Sequence, residues 1–522
     1  MSQVTLPVSG GRALVRSLAA HGVERVFGIP GTHNLETYSW LEAYGITHTA
    51  ARHEQGAGYA ADAYARVTGR PGVVVVTTGP GVLNAATAAA QAYSDSVPVL
   101  VVSPGMAAGP GGLGRLHETK DQTGALGAIV EWSHRVSTVA EVEAAVARAF
   151  GFLTGPGRRR PVHVEIPLDV MTGRAELQDA PPVCPPVDAG AAAADSVEAA
   201  AQALVSGTVT IVAGGGSRRA AAEVAALAGL LGAPVVTTAN GKGVLSEDDP
   251  LSLGVGLHLP VVQERLTSCD IVVAVGTELA ESDFWCEPPA LPQVVRVDLD
   301  PGHGGHRLAG DAALTLRALI GRLTSLGRRS GAGGELPSLR RTRDQQAREM
   351  GRRRLGWLAA VRSALAPDAI ITSDSAMACY YGALPNLPIG PAGRYLHPTG
   401  YGTLGYALPA AVGAKVAAPG RQVVALSGDG GLQYTVGELA TAADLGLPLP
   451  VVVFDNGGYG EIRAQMLERG DMPVGVDHRT PDLPLIARGY GWRGNGRAEP
   501  GGARGGVAAG PSPRPAHGHR RP

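Results

Sequence analysis

The sequence predicts an α/β protein built from three doubly wound parallel-sheet domains, and three observations carry that prediction. The chain of 522 residues is too long for a single hydrophobic core. Continuous β-branched runs such as Gly72–Thr78, Val209–Ala213 and Val451–Phe454 are of the kind buried on both faces of a parallel sheet. Ala-rich helical stretches alternate with them, notably Leu83–Tyr93 and Val139–Leu153.

Taken in order, the first block covers residues 1–178, with strands at Gly72–Thr78 and Val97–Val102. The Pro-rich stretch Ala180–Pro186 reads as an extended linker. A second block, residues 190–326, has strands at Val209–Ala213, Val235–Thr238, Ile271–Val275 and Val294–Asp298. Residues 327–354 turn to Gly and then to dense Arg with Gln and Glu, which suits a solvated linker or an exposed helix. The third block, residues 353–492, has strands at Ala369–Thr372, Gln422–Leu426 and Val451–Phe454 and a helix at Val436–Leu445. From Gly494 on, Val507 is the only β-branched aliphatic residue among Gly, Pro, Arg and Ala. Such a stretch buries too little apolar surface to offset its ordering entropy, so residues 493–522 are predicted to be disordered.

Charge narrows the partners. With 45 Lys and Arg against 46 Asp and Glu, the formal net charge is -1, which gives no electrostatic drive toward nucleic acid or an anionic membrane. The short basic run Arg158-Arg159-Arg160 reads as a solvated turn. Every apolar run stops short of membrane thickness and no secretory leader is evident. Cys184, Cys269, Cys286 and Cys379 lack ligand or disulfide spacing, so the expected setting is a reducing cytoplasm.

The strongest motif is Gly428-Asp429-Gly430, followed by Gly431 and, one strand later, by Asn456. Val423–Leu426 places Asp429 in the turn at a strand's C-terminal end, where ligands bind in open α/β sheets. The strand Val451–Phe454 delivers Asn456 to the same edge. A carboxylate and an amide oxygen at neighbouring strand ends suit a hard cation such as Mg2+ bridging phosphates. The flanking glycines let the backbone approach a diphosphate. Asp-Gly turns are common, and the order strand, Gly-Asp-Gly, helix, strand, Asn is what gives the motif weight. A second segment, Arg52 to Arg66 (RHEQGAGYAADAYAR), places Glu54 at the head of a helix whose 57, 60, 61 and 65 positions are small. Taken alone, Glu54 is an ordinary acid favoured by the helix dipole.

Together these two segments resemble the thiamine-diphosphate signature of the family containing acetolactate synthase, pyruvate decarboxylase and benzoylformate decarboxylase. The match runs from about residue 10 to 490. The resemblance implies thiamine diphosphate and Mg2+ as cofactors, with the metal on Asp429, Asn456 and the backbone carbonyl of Gly458. It implies that Glu54 hydrogen-bonds N1' of the pyrimidine and so promotes the tautomer that takes the proton from thiazolium C2. Pro80 and Asn84, in Thr77-Thr78-Gly79-Pro80-Gly81-Val82-Leu83-Asn84, would lie beside that ring. The Gly402 carbonyl would accept from its 4'-amino group, and Leu404 would wedge between the two rings. Ala376, Met377 and Ala378 belong to the turn that donates amides to the diphosphate, as would Gly428, Gly430 and Gly431. Members place the cofactor between the first block of one subunit and the third block of another, so a homodimer or homotetramer is expected.

The particular reaction is carried by fewer residues. Gly276–Trp285 (GTELAESDFW) stands where acetolactate synthase keeps an Arg-Phe-Asp-Asp-Arg segment associated with FAD, so FAD is not expected. Gly214-Gly215-Gly216 reads as a tight strand-to-helix turn. Asp455-Asn456 replaces the usual Asn-Asn, and the adjacent His-His pair of pyruvate decarboxylases is absent. Gly114–Gln122 and Asn456–Arg463 look most like the branch that decarboxylates 5-guanidino-2-oxopentanoate (2-ketoarginine). Gln122 falls where the acetolactate synthase family keeps an active-site Gln, and His117 and Glu118 either relay a proton or satisfy local loop hydrogen bonds. Glu461 falls where members line the substrate pocket, and a carboxylate suits a guanidinium tail. Three readings stand: decarboxylation of a 2-oxo acid with a cationic tail, an acetolactate synthase-like carboligase, and a catalytically impaired member with an altered C-terminus.

Overall fold

Alternation of buried residues shows why the first strands form a sheet covered on both faces. Val73, Val75, Leu100, Val102, Val162 and Val164 belong to one apolar cluster. Their neighbours Val74, Val76, Val99 and Val101 belong to another on the opposite side. In this computed structural model, which describes residues 5–109, 111–328, 335–498 and 504–511, the six strands run parallel in the order Thr47–Ala50, Arg25–Gly28, Gly72–Val75, Val99–Gly105, Val162–Pro167, Trp132–Arg135. The chain reverses its direction of travel across the sheet between Arg25–Gly28 and Gly72–Val75, which opens a crevice beyond their C-terminal ends. A Cβ on Gly28 would lie 1.8 Å from the Val75 carbonyl oxygen, so only glycine lets those two strands close up there.

The chain gathers into two compact units. One comprises Met1–Gly155, Arg159–Val187 and Tyr401–Pro522, and the other Pro156–Arg158 and Asp188–Gly400. The third sequence block is therefore divided near residue 400.

Within the first unit the helix Glu54–Thr68 is enclosed by helices of equally small residues. A Cβ on Gly58 would meet the Ala88 Cβ at 2.4 Å, and one on Gly413 would meet the Ala60 carbonyl oxygen at 2.0 Å. The helices Pro80–Ser94 and Ala407–Ala417 thus touch it almost backbone to backbone. A buried polar cluster fixes their register: Tyr406 Oη donates to Asp62 at 2.6 Å, and Arg66 bridges Asp62 and Asp95 at 2.7 Å each. Breaking one partner of such a buried ionic set costs about 3–5 kcal/mol, because the others are left uncompensated.

The same unit holds the strands Val423–Gly428 and Val451–Phe454, paired in parallel. Arg504–Pro511 pairs antiparallel with Val451–Phe454, and Trp492–Ala498 pairs antiparallel with it in turn. Two expectations are corrected here. This set of strands is mixed rather than wholly parallel, and residues 493–498 and 504–511, expected to be disordered, are extended strands. Composition misled because backbone ladder hydrogen bonds can order a Gly-rich segment. The remainder of the 493–522 stretch lies outside the described residues.

The second unit has six parallel strands in the order Ser252–Val255, Val235–Thr237, Val209–Ala213, Ile271–Val275, Gln293–Asp298, His306–Ala309. This is the order of a dinucleotide-binding fold, and its two central strand-end turns approach closely. A Cβ on Gly214 would meet the Gly276 carbonyl oxygen at 2.2 Å, and Gly216 N donates to that oxygen at 3.1 Å. Ile370–Ser373 and Arg394–Leu396 form a further parallel pair in this unit. Residues 336–351, read as linker or exposed helix, form a helix that buries Arg343, Ala347 and Gly351. Among the described residues no helix is long and apolar enough to cross a membrane, and none of the four cysteines is in a disulfide.

Candidate cofactor site

Asp429 does not sit in a turn ahead of a helix, as the sequence suggested. It is the first residue of the helix Asp429–Thr435, with Gly428 as its cap, and the stretch expected as one helix at 436–445 breaks at Val436–Gly437. The dipole at that helix start favours an anionic side chain. Its carboxylate is 1% exposed and collects donors from the next strand's loop. Gly458 N donates to Oδ2 at 2.9 Å, Asn456 N to Oδ1 at 3.3 Å, and Thr480 Oγ1 to Oδ2 at 3.3 Å. Burial, opposed by these amides and reinforced by Asp455, holds the Asp429 carboxyl above its ordinary range.

The arrangement around Asn456 tests whether a metal fits. One terminal atom of its amide lies 2.8 Å from the Gly458 carbonyl oxygen and 3.1 Å from Asp429 Oδ1. With nitrogen in that position the amide donates to both. With oxygen there, three oxygens converge with spacings close to the roughly 3 Å edge of an octahedron about Mg2+. The set Asp429, Asn456 and Gly458 therefore fits a hard cation. Among the described residues no cluster of three or more His, Cys, Asp or Glu could hold a metal. Gly430 is pressed against Tyr459, a Cβ there lying 3.1 Å from the ring, so the loop approaches the helix start closely. Thr480, absent from the sequence reading, ties Asp429 to Asp455 Oδ1 at 2.9 Å.

In the same unit, Glu54 opens its helix at the rim of the first crevice and is 9% exposed. Asn84 Nδ2 donates to Glu54 Oε2 at 3.0 Å, and a Cβ on Gly81 would lie 3.4 Å from Oε1. Pro80 starts the exposed end of that neighbouring helix. The sequence segments around 54 and 77–84 are thus brought together.

Gln122 is buried and its amide is fully committed. Oε1 accepts from Thr78 Oγ1 at 2.9 Å and Gly79 N at 2.8 Å, while Nε2 donates to Ser103 Oγ at 3.1 Å and to the Pro104 carbonyl at 2.9 Å. In this state it shapes the Thr77–Gly79 turn. His117 caps that turn from outside, its carbonyl oxygen lying 2.4 Å from where a Gly79 Cβ would be. Its backbone is left-handed (φ 64°), and its ring packs edge-on to His33 with centroids 5.2 Å apart. Burial and the neighbouring His117 both lower the His33 pKa. His33, on the loop after Arg25–Gly28, was missed because nothing in its local sequence points to His117. Glu118 is engaged locally, accepting from Gly112 N at 2.9 Å and Arg115 N at 3.2 Å and pairing with the Arg115 guanidinium at 3.4 Å. Glu461 lies in the first turn of Gly460–Glu468 and accepts from Gln465 Nε2 at 3.1 Å.

Gly402 has an open, left-handed backbone (φ 66°), and Leu404 is half-buried. The next glycine, Gly405, accepts from Thr435 Oγ1 at 2.8 Å, which ties this loop to the Asp429 helix. Ala376, Met377 and Ala378 lie in the second unit, after the strand Ile370–Ser373. There Ala376 N donates to the Asp374 carbonyl at 2.8 Å and Cys379 N to that of Ala376 at 2.7 Å.

Fold and site define an α/β protein in which the oxygens of Asp429, Asn456 and Gly458 fit a hard cation. Comparison with known proteins is more specific. The thiamine pyrophosphate enzyme N-terminal TPP binding domain matches residues 8–125, the central domain 197–319 and the C-terminal TPP binding domain 376–504. The chain belongs to the thiamine pyrophosphate enzyme family, and it is a thiamine-pyrophosphate-dependent enzyme. A probable 2-ketoarginine decarboxylase of Pseudomonas aeruginosa is 42% identical, over 93% of this chain and 88% of that protein. Acetolactate synthases follow. The large subunit of Parasynechococcus marenigrum is 34% identical over 93% of this chain and 82% of its own length. An acetolactate synthase of Arthrospira platensis is 33% identical over 94% of this chain and 90% of its own length.

Proposed function

We propose that this protein catalyses the non-oxidative decarboxylation of a 2-oxo acid with a guanidino tail, 2-ketoarginine or a close analogue. The observation that carries this reading is the near full-length likeness to a probable 2-ketoarginine decarboxylase.

In this reading Asp429, Asn456 and the Gly458 carbonyl hold Mg2+, and the glycines at 428, 430 and 431 admit the diphosphate. Ala376, Met377 and Ala378 lie along the same group. Glu54 holds a proton at the pyrimidine N1', oriented by Asn84, with Pro80 beside the ring. The Gly402 carbonyl and Leu404 set the conformation of the bound cofactor. Thiamine diphosphate, when bound, supplies the sink for the electron pair released as CO2 leaves. His117 would return a proton to the product carbon, with Gln122 holding the neighbouring Thr78–Gly79 turn. An acidic residue, Glu461 or Glu118, is the partner of the guanidinium in this reading.

The proposed domains are residues 1–178, 190–326 and 353–492, with 493–522 as a terminal segment, in a cytoplasmic homodimer or homotetramer. FAD has no part in the reading.

The test is a panel of 2-ketoarginine, pyruvate, benzoylformate and indolepyruvate with thiamine diphosphate and Mg2+, following CO2 and aldehyde. The guanidino acid is expected to give the highest kcat/KM. The acetolactate synthases among the relatives favour one rival. Pyruvate as best substrate with accumulation of acetolactate would make the protein a carboligase, and no turnover of any member would make it an impaired one.

A further inference from the structure

We infer that Glu438 is a positioning residue through which the segment bearing Asp429 fixes the start of the helix bearing Glu54. The inference rests on the proposed role of Glu54.

Glu438 is 2% exposed and begins the helix Glu438–Asp444, the second helix after the strand that ends at Gly428. Its Oε1 accepts two backbone amides of the first unit, Arg52 N at 3.0 Å and His53 N at 3.1 Å. Its Oε2 accepts from Thr441 Oγ1 at 2.6 Å, and the same hydroxyl reaches the Ala50 carbonyl at 3.3 Å. Asp444, further along that helix, pairs with the Arg52 guanidinium. Three residues of one short helix therefore grip the connection from Ala50 to His53, the residues immediately before Glu54.

The fit leaves no slack. A Cβ on Gly56 would lie 2.3 Å from Glu438 Oε1, so the carboxylate occupies the space a side chain would need. The His53 side chain satisfies only Gln55 N, at 3.2 Å, so the amides of residues 52 and 53 depend on Glu438. Glu54 itself is oriented by one side-chain bond, from Asn84. Where its carboxylate points then depends on where the helix begins, and the Glu438 grip decides that. Displacement of a catalytic group by about 1 Å typically costs on the order of a hundredfold in rate. A buried carboxylate accepting two amides and a hydroxyl is an unusually rigid way to prevent it.

The experiment compares Glu438→Ala, Glu438→Gln and Gly56→Ala in the full chain. Two readouts are used: amide hydrogen exchange of the 50–58 segment in the cofactor-free protein, and kcat against KM with cofactor and Mg2+. Glu438→Ala is expected to speed exchange at Arg52 and His53 by about tenfold or more, with Val162–Pro167 unchanged. It should lower kcat about tenfold or more with KM within about twofold. Glu438→Gln keeps the accepting oxygen and should restore both. Gly56→Ala, which displaces the carboxylate while leaving it in the chain, should reproduce the alanine result if Glu438→Ala fails to fold. Unchanged exchange in Glu438→Ala, or a glutamine variant as impaired as the alanine one, would overturn the inference. If no 2-oxo acid is turned over by the unaltered protein, the proposed function fails while the exchange result still decides the role of Glu438.

Discussion

Asn84 Nδ2 donates to Glu54 Oε2 at 3.0 Å, joining two helices that begin after different strands of the first sheet. The bond leaves Glu54 Oε1 over Gly81, where no side chain competes for it. Glu54→Gln is expected to lower turnover by about a hundredfold or more, since a general acid–base group contributes about 10²–10⁴. Cofactor binding measured by Mg2+-dependent thermal stabilisation should persist. Wild-type rates of C2–H exchange in that variant would rule out the assigned role.

The oxygen trio at Asp429, Asn456 and Gly458 makes a separate prediction. Thiamine diphosphate with Mg2+ should raise the unfolding temperature, by mass action equivalent to about 2.7 kcal/mol at a hundredfold excess over Kd. Chelation, or Asp429→Ala, should abolish the rise. Equal stabilisation by the cofactor with and without divalent metal would count against this ligand set.

Glu461→Gln probes the substrate end. Removing the charge from one side of a charge-assisted pair costs about 1.5–3 kcal/mol, roughly ten- to a hundredfold. The loss should appear in kcat/KM for the guanidino acid and leave pyruvate within about twofold. Equal losses on both substrates would place Glu461 away from the tail.

Acid stability should be limited by buried histidines. His163 lies between Ser103 Oγ at 2.9 Å and Ser133 Oγ at 2.8 Å, and burial depresses its pKa to about 3. Burial, with Arg343 adding to it, does the same to His258, also to about 3. An unfolded histidine titrates near 6.5, so the unfolded chain binds more protons below that pH. The stability due to these groups is full above about pH 6.5 and is lost as pH falls toward 3, by about 1.4 kcal/mol per unit for each. Urea unfolding between pH 7.5 and 4.5 should show this fall, and His163→Gln should make it shallower. An identical slope in the variant would refute the assignment.

Much of the fold was legible. Val139–Leu153 was read to the residue, because Thr138 caps it and Thr154 ends it, and periodicity plus a cap are local properties. The strand expected at 72–78 stops at Val75, because Thr77 and Thr78 are drawn into the turn that Gln122 holds. That pairing spans 44 residues and has no local signal. The Glu54, Asp429 and Asn456 positions were legible because each carries its backbone setting with it, a helix start or a strand end.

By itself the sequence determined the α/β class and the alternation of covered strands, and it singled out Asp429, Asn456 and Glu54 as candidates. These follow from periodicities and turn chemistry that act over a few residues. Tertiary structure decided how those residues are held. It placed Thr480 on Asp429, His33 against His117, and the Glu438 carboxylate on the amides before Glu54. It also engaged Glu118 within its own loop, tied Gln122 to the distant Thr78–Gly79 turn and paired a Gly-rich terminal segment into strands. The reason is physical: hydrogen bonds and close contacts between residues far apart in sequence depend on which strand ends become neighbours, and no local pattern encodes that.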